Sequence, residues 1–225
     1  MFIRFRRFSA LSDLEPSPRK WTGLRSRFPI AVIDNEPFLN AEFLRNNDFV
    51  VKELGDIKDI HAVADYPIVA CDIMDVGTAF GSSIGGAHLV SEIKKLYPDK
   101  YVIAYSGASA FGPEFHAPMG QADIFVRRGS PIEEWVRSLD EAIQTLGDPR
   151  RYWRRVRRVL LDHEVSLLEI LLIEDAFIRS IQRDDSFILE RELKHARAHK
   201  ETAELLERIS QGLIMVAKIA AHAAA

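Results

Sequence analysis

Between Ile30 and Leu146 the chain alternates short, wholly apolar runs with amphipathic stretches, and four of the runs stop at a charged or hydroxylated residue. Ile30–Ile33 (IAVI) precedes Asp34, Pro67–Cys71 (PIVAC) precedes Asp72, Tyr101–Tyr105 precedes Ser106, and Ile124–Val126 precedes Arg127. Runs this short, with no polar alternation, suit strands covered on both faces. Strands separated by helical stretches build βα units and a parallel sheet. Phe49–Leu54 supplies a fifth strand. Helices are expected over Pro37–Asn46, Ile57–Ala64, Ala87–Leu96 and Pro131–Leu146, the last with Trp135, Leu139 and Ile143 on one stripe. The expectation is an α/β domain over residues 30–147: a five-stranded, doubly wound parallel sheet. Parallel strands would bring Asp34, Asp72, Ser106 and Arg127 to one edge, where open α/β sheets hold ligands.

Charge divides the chain into three segments. Residues 1–29 carry seven basic side chains against two acidic, residues 30–147 nine against eighteen, and residues 148–225 fourteen against thirteen. An acidic middle segment argues against nucleic acid binding there. Cys71 is the single cysteine, which forbids an internal disulfide and suits a reducing cytoplasm. No apolar stretch approaches the roughly 20 residues of a membrane span. Residues 1–29 read as a leader, partly disordered or packed loosely, with Phe2, Phe5 and Phe8 in a short edge strand or tail rather than at a membrane surface.

The residues expected at the sheet edge are chemically coherent. Clustered carboxylates hold Mg²⁺ through oxygen ligands. A metal and a nearby cation neutralise a phosphoryl group arriving on the remaining carboxylate, and a hydroxyl bonds its oxygens. Rival motifs are incomplete. Asp72 and Asp75 form D-x-x-D rather than the D-x-D of haloacid-dehalogenase phosphatases. Phe111 spoils a nucleophile elbow at Ser109, and GSSIGG lacks the lysine of a phosphate-binding loop.

Residues 30–147 resemble the flavodoxin-like receiver domain of two-component response regulators. IAVIDNEP resembles the opening strand with its acidic pair, and PIVACDIMD the strand of the phosphoacceptor. VIAYSGA resembles the strand ending in the switch hydroxyl, and GQADIFVRRGSPIEEW the closing strand and helix. The resemblance implies a cytoplasmic signalling regulator rather than an enzyme. Asp72 would be its phosphoacceptor, Ser106 the switch, and Arg127 the phosphate contact in place of the usual Lys. Asp34, Asn35, Asp72 and the Met74 carbonyl would be the Mg²⁺ ligands. Asn35 stands where the family has a second Asp, which weakens the metal site, and Arg128 stands at a usual Pro. Two readings follow: a receiver phosphorylated by a histidine kinase or phosphotransfer protein, or a pseudo-receiver acting as a protein-interaction scaffold.

Residues 148–225 read as an all-α two-helix hairpin, Pro149–Arg183 and Ser186–Ala221, turning at Asp184–Ser186. Val156, Leu160, His163, Leu167, Ile170, Glu174, Phe177 and Ile181 follow a coiled-coil seam, with Leu161, Val165, Leu168 and Leu172 as a second apolar row. A helix apolar on two sides needs more than one partner, so two hairpins are expected to pair as a four-helix homodimer. The Arg150–Arg158 run reads as a docking or solvated face rather than a nucleic acid site. HEVSLL at His163 faintly resembles the phosphoacceptor-His motif of kinase dimerisation hairpins, which keeps a phosphorelay role open. His195 and His199 lack a third ligand for a metal.

Overall fold

The computed structural model describes residues 8–14, 21–107, 112–196 and 200–224. Two compact units emerge: Lys20–Leu146, and Gly147–Ala225 together with the segment before Lys20.

In the first unit, strands β1 (Ile30–Ile33), β2 (Val51–Glu53), β3 (Ile68–Asp72), β4 (Tyr101–Ser106) and β5 (Ile124–Arg127) form one sheet in the order β2-β1-β3-β4-β5. Every neighbouring pair is parallel. This is the flavodoxin-like order of a doubly wound sheet. The three inner strands are buried at every residue, as their unbroken apolar runs require, and the edge strands only in part.

One face packs Ala31, Ile33, Val69, Cys71, Val102 and Ala104 against Leu89, Val90 and Ile93 of α2 (Gly85–Leu96). Side chains alternate along a strand, so the other face presents Val32, Ala70 and Tyr105. There Tyr105 meets Phe38 and Trp135, the latter on α4 (Ile132–Gly147), with ring centroids 5.8 and 5.1 Å away. The expected Pro37–Asn46 helix is only α1 (Ala41–Arg45), and Ile57–Ala64 shrinks to a 3₁₀ turn at Ile60–Val63. A short helix not foreseen, α3 (Pro113–Met119), precedes β5.

The second unit departs from the expected hairpin. Among its described residues four helices occur: α5 (Pro149–Asp162), α6 (Leu167–Gln182), α7 (Ser186–Ala196) and α8 (Lys200–Ala224). The first long helix is broken because Glu164 takes a left-handed conformation, φ 58°. Ser166 and Glu169 then close a capping box at the start of α6. His163 therefore sits on no continuous seam. It lies exposed at the end of α5, its Nδ1–H donating to the Val159 carbonyl at 2.9 Å. The turn before Ser186 stands as expected, with Asp184 at φ 49°. The four helices pack on one another within one chain, which buries Val165 of the second apolar row and leaves Leu161 and Leu168 exposed. Trp153 stacks on Phe177 at 5.5 Å, and its indole N–H donates to Glu174.

The leader is no edge strand over its described residues. Leu11–Asp13 form a 3₁₀ turn, the Ser9 amide donates to Asp175, and Gln182 donates to the Asp13 carbonyl. Phe2 and Phe5 lie outside the described residues, as do Ser109, Phe111 and His199. Among the described residues no helix is long and apolar enough to cross a membrane.

Candidate functional site: an acidic pair closed by arginine

The site grows out of the register. β1 pairs with β3 up to Ile33 beside Cys71, and one residue further on the same register sets Asp34 beside Asp72. Asp72 is paired with Tyr105 and Tyr105 with Val126, so these four residues share one face of the sheet at its carboxyl edge. Asp34 and Asp72 are buried, Asp72 to 3% exposure.

Strand parity decides which arginine joins them. Arg127 pairs with Ser106, out of step with Asp72, and its side chain is exposed. Arg128 shares the parity of Val126 and turns onto the acidic face. Its Nη2 lies 2.7 and 2.6 Å from the two Asp34 oxygens and 2.8 Å from Asp72 Oδ2. Its Nη1 reaches Glu36 at 2.8 Å. The expected cation Arg127 is thus corrected to Arg128, and the residue expected at a Pro position is the one that closes the site. Counting two residues on from the buried Val126 would have found it.

The remaining bonds fix the carboxylates. Asp34 Oδ1 accepts the Glu36 amide at 2.9 Å, and Oδ2 accepts the Tyr105 hydroxyl at 2.6 Å. Asp72 Oδ1 accepts the amides of Ile73 at 2.8 Å and Met74 at 3.4 Å. Burial holds the Asp72 carboxyl above its usual range, with Arg128 and the Met74 amide drawing it back part of the way. Burial also opposes charge on Arg128, but Asp72 and Asp34 outweigh it and raise the guanidinium above its ordinary value. Burial, then the bond to Asp34, push the Tyr105 phenol far up, so it donates as a neutral hydroxyl.

Ser106 is buried at the end of β4, and its carbonyl accepts the Arg128 amide at 2.9 Å. Asn35 is exposed, and Met74 is 39% exposed. A cleft of about 350 Å³ opens beside the pair, lined by Asp34, Glu36, Phe38, Leu39 and Arg128 among others.

The loop after β3 is pinned twice. Asp56 accepts the Gly77 amide at 2.6 Å and the Thr78 hydroxyl at 2.5 Å. The start of α2 rests on the Asp72 main chain, where a Cβ at Gly86 would lie 1.8 Å from the Asp72 carbonyl oxygen. Asp56, Tyr105 and Gly86 were not among the residues expected from sequence, because each acts through a contact between segments.

The expected Mg²⁺ set of Asp34, Asn35, Asp72 and Met74 does not fit a divalent ion in this arrangement. Arg128 Nη2 already sits between the two aspartates, and Asn35 faces solvent. Among the described residues no group of three or more His, Cys, Asp or Glu is placed to hold a metal.

No family model matches the chain, and no curated protein matches it. Solved structures do resemble it. The receiver domain of NtrX from Brucella abortus is 24% identical with a TM-score of 0.43, covering 52% of this chain and 98% of that one. A CheY-like response regulator receiver domain protein from Methanospirillum hungatei JF-1 is 15% identical with a TM-score of 0.43, covering 52% and 94%. The BeF3-activated N-terminal receiver domain of Klebsiella pneumoniae RstA is 16% identical with a TM-score of 0.41, covering 51% and 97%. The likeness is to response regulator receiver domains, one of fold over about half of this chain.

Proposed function

We propose that this protein is a cytoplasmic signalling regulator whose Lys20–Leu146 unit accepts a phosphoryl group on Asp72 and whose helical unit carries the response. The observation that supports this reading is Asp72 at the carboxyl end of the central strand with a guanidinium held 2.8 Å from its Oδ2. In the proposed step an Asp72 oxygen bonds to phosphorus while the bond from phosphorus to the donor's leaving group breaks, giving an acyl phosphate. Arg128 neutralises the arriving oxygens, and Ser106 stands at the neighbouring strand end as the switch hydroxyl. A phosphohistidine on a histidine kinase or phosphotransfer protein is the donor this reading implies.

Incubation with acetyl phosphate followed by intact mass measurement should add one phosphoryl group that Asp72→Asn abolishes. Absence of an adduct on the unmodified protein would overturn the reading. Repeating the measurement after acid and after base treatment separates an aspartyl adduct from a relay through His163.

The second reading, a pseudo-receiver scaffold, is favoured by the burial of Asp72 and its ion pair with Arg128. It requires that no adduct form. In either reading the helical unit is the proposed homodimer surface, supported by leucines left exposed on α6.

A further inference from the structure

Two ionised carboxylates offer about eight lone-pair directions between them. Seven are occupied on Asp34 and Asp72. The Glu36 amide, the Tyr105 hydroxyl and two contacts from Arg128 Nη2 use those of Asp34. The Ile73 and Met74 amides and a third contact from Nη2 use three on Asp72. The one left open is on Asp72 Oδ2.

A Mg²⁺ ion bridging the pair needs oxygens at about 2.0–2.1 Å and near-octahedral geometry. It would use the same lone pairs and the same space as Nη2, which stands 2.6–2.8 Å from three of these oxygens. Two cations cannot share that space. Of the two, the guanidinium is bound covalently to the chain and charged at every physiological pH.

We propose that Arg128 is the resident cation of this site, occupying the place of a divalent ion between Asp34 and Asp72, so that the pair has a built-in counter-charge without metal. The Glu36 carboxylate, 2.8 Å from Nη1, anchors the far side of the fork and holds it in this position. The open lone pair on Asp72 Oδ2 lies beside the same guanidinium, so a phosphoryl group formed there meets its counter-charge in place. This deepens the receiver reading, but metal exclusion stands or falls separately from phosphorylation.

The test is a Mn²⁺ titration of the full chain followed by electron paramagnetic resonance, with Mg²⁺ as competitor. The unmodified protein should show no saturable site that depends on Asp34 or Asp72. Arg128→Ala should gain one Mn²⁺ site, tighter by roughly tenfold or more, that Asp34→Asn removes again. Arg128→Met, which keeps the aliphatic stem, serves if the alanine variant does not fold. A saturable site in the unmodified protein that Asp34→Asn weakens would overturn the proposal. So would an arginine variant that gains no site. Acetyl phosphate labelling with EDTA and with Mg²⁺ forms a separate arm, and equal rates are expected. If no label appears in either, the phosphoryl reading fails while the Mn²⁺ result still decides the role of Arg128.

Discussion

Lys100 shows how far burial alone can move a charge in this domain. Its Nζ donates to the carbonyls of Ala64 and Tyr66 at 2.7 and 2.9 Å and sits 4.7 Å over the Tyr97 ring, with the residue only 6% exposed. Burial pulls its pKa down to about 8 from 10.5, against the opposing pull of Asp99 and Asp65. Between those two values the unfolded chain holds a proton that the folded chain has released. Stability therefore rises with pH across that window. Urea unfolding midpoints of the unmodified protein should climb from pH 8 toward pH 10 relative to Lys100→Met, by about 2 kcal/mol or less. A parallel pH dependence in the two proteins would show that Lys100 keeps an ordinary proton.

Among the secondary-structure elements, α2 sits on β3 with no room for a side chain at Gly86. With Gly86 packed against the Asp72 carbonyl, Gly86→Ala forces main chain apart rather than a flexible side chain. It should cost about 1–3 kcal/mol in urea unfolding and move Asp72 off its pair. An unchanged unfolding midpoint would mean the joint is slack. The three inner strands were readable in the sequence because burial on both faces leaves unbroken apolar runs at Ile30, Ile68 and Tyr101. The acids at their ends were equally plain. The cation was expected one residue early, at Arg127, because a strand's end is the point where spacing is least constrained and parity must be counted from a buried neighbour. The α5–α6 break was missed because apolar spacing of three and four runs on past His163, while Ser166 with Glu169 three residues later announces a new helix start. Tyr105 read as core because a sequence shows its apolar ring and not the hydroxyl that reaches Asp34.

At the scale of the whole molecule, the helical unit closes its own core yet leaves apolar surface on α6. Leu167 and Leu168 are 64% and 61% exposed, and Leu171 is 41% exposed. A contiguous apolar patch of this kind marks an interface more often than free surface. If a second copy covers it, the double variant Leu167→Gln, Leu168→Gln should elute as a monomer in light-scattering chromatography while the unmodified chain elutes as a dimer. Identical masses for the two would remove these leucines from any self-association.

Asp56, clipped to Gly77 and Thr78, divides the stretch between β3 and α2 into two parts. The part before the clip carries Ile73 and Val76 into the core and cannot lengthen without disturbing Asp72. Beyond it, Gly81 and Ser83 are exposed, and by Gly85 the chain has returned to the fixed start of α2. Both ends of this outer arc are anchored independently of its length, and closing a longer arc adds little entropy cost. The protein thus contains, a few residues from its acidic pair, a natural port where foreign sequence can be spliced in while the chemistry beneath stays in register.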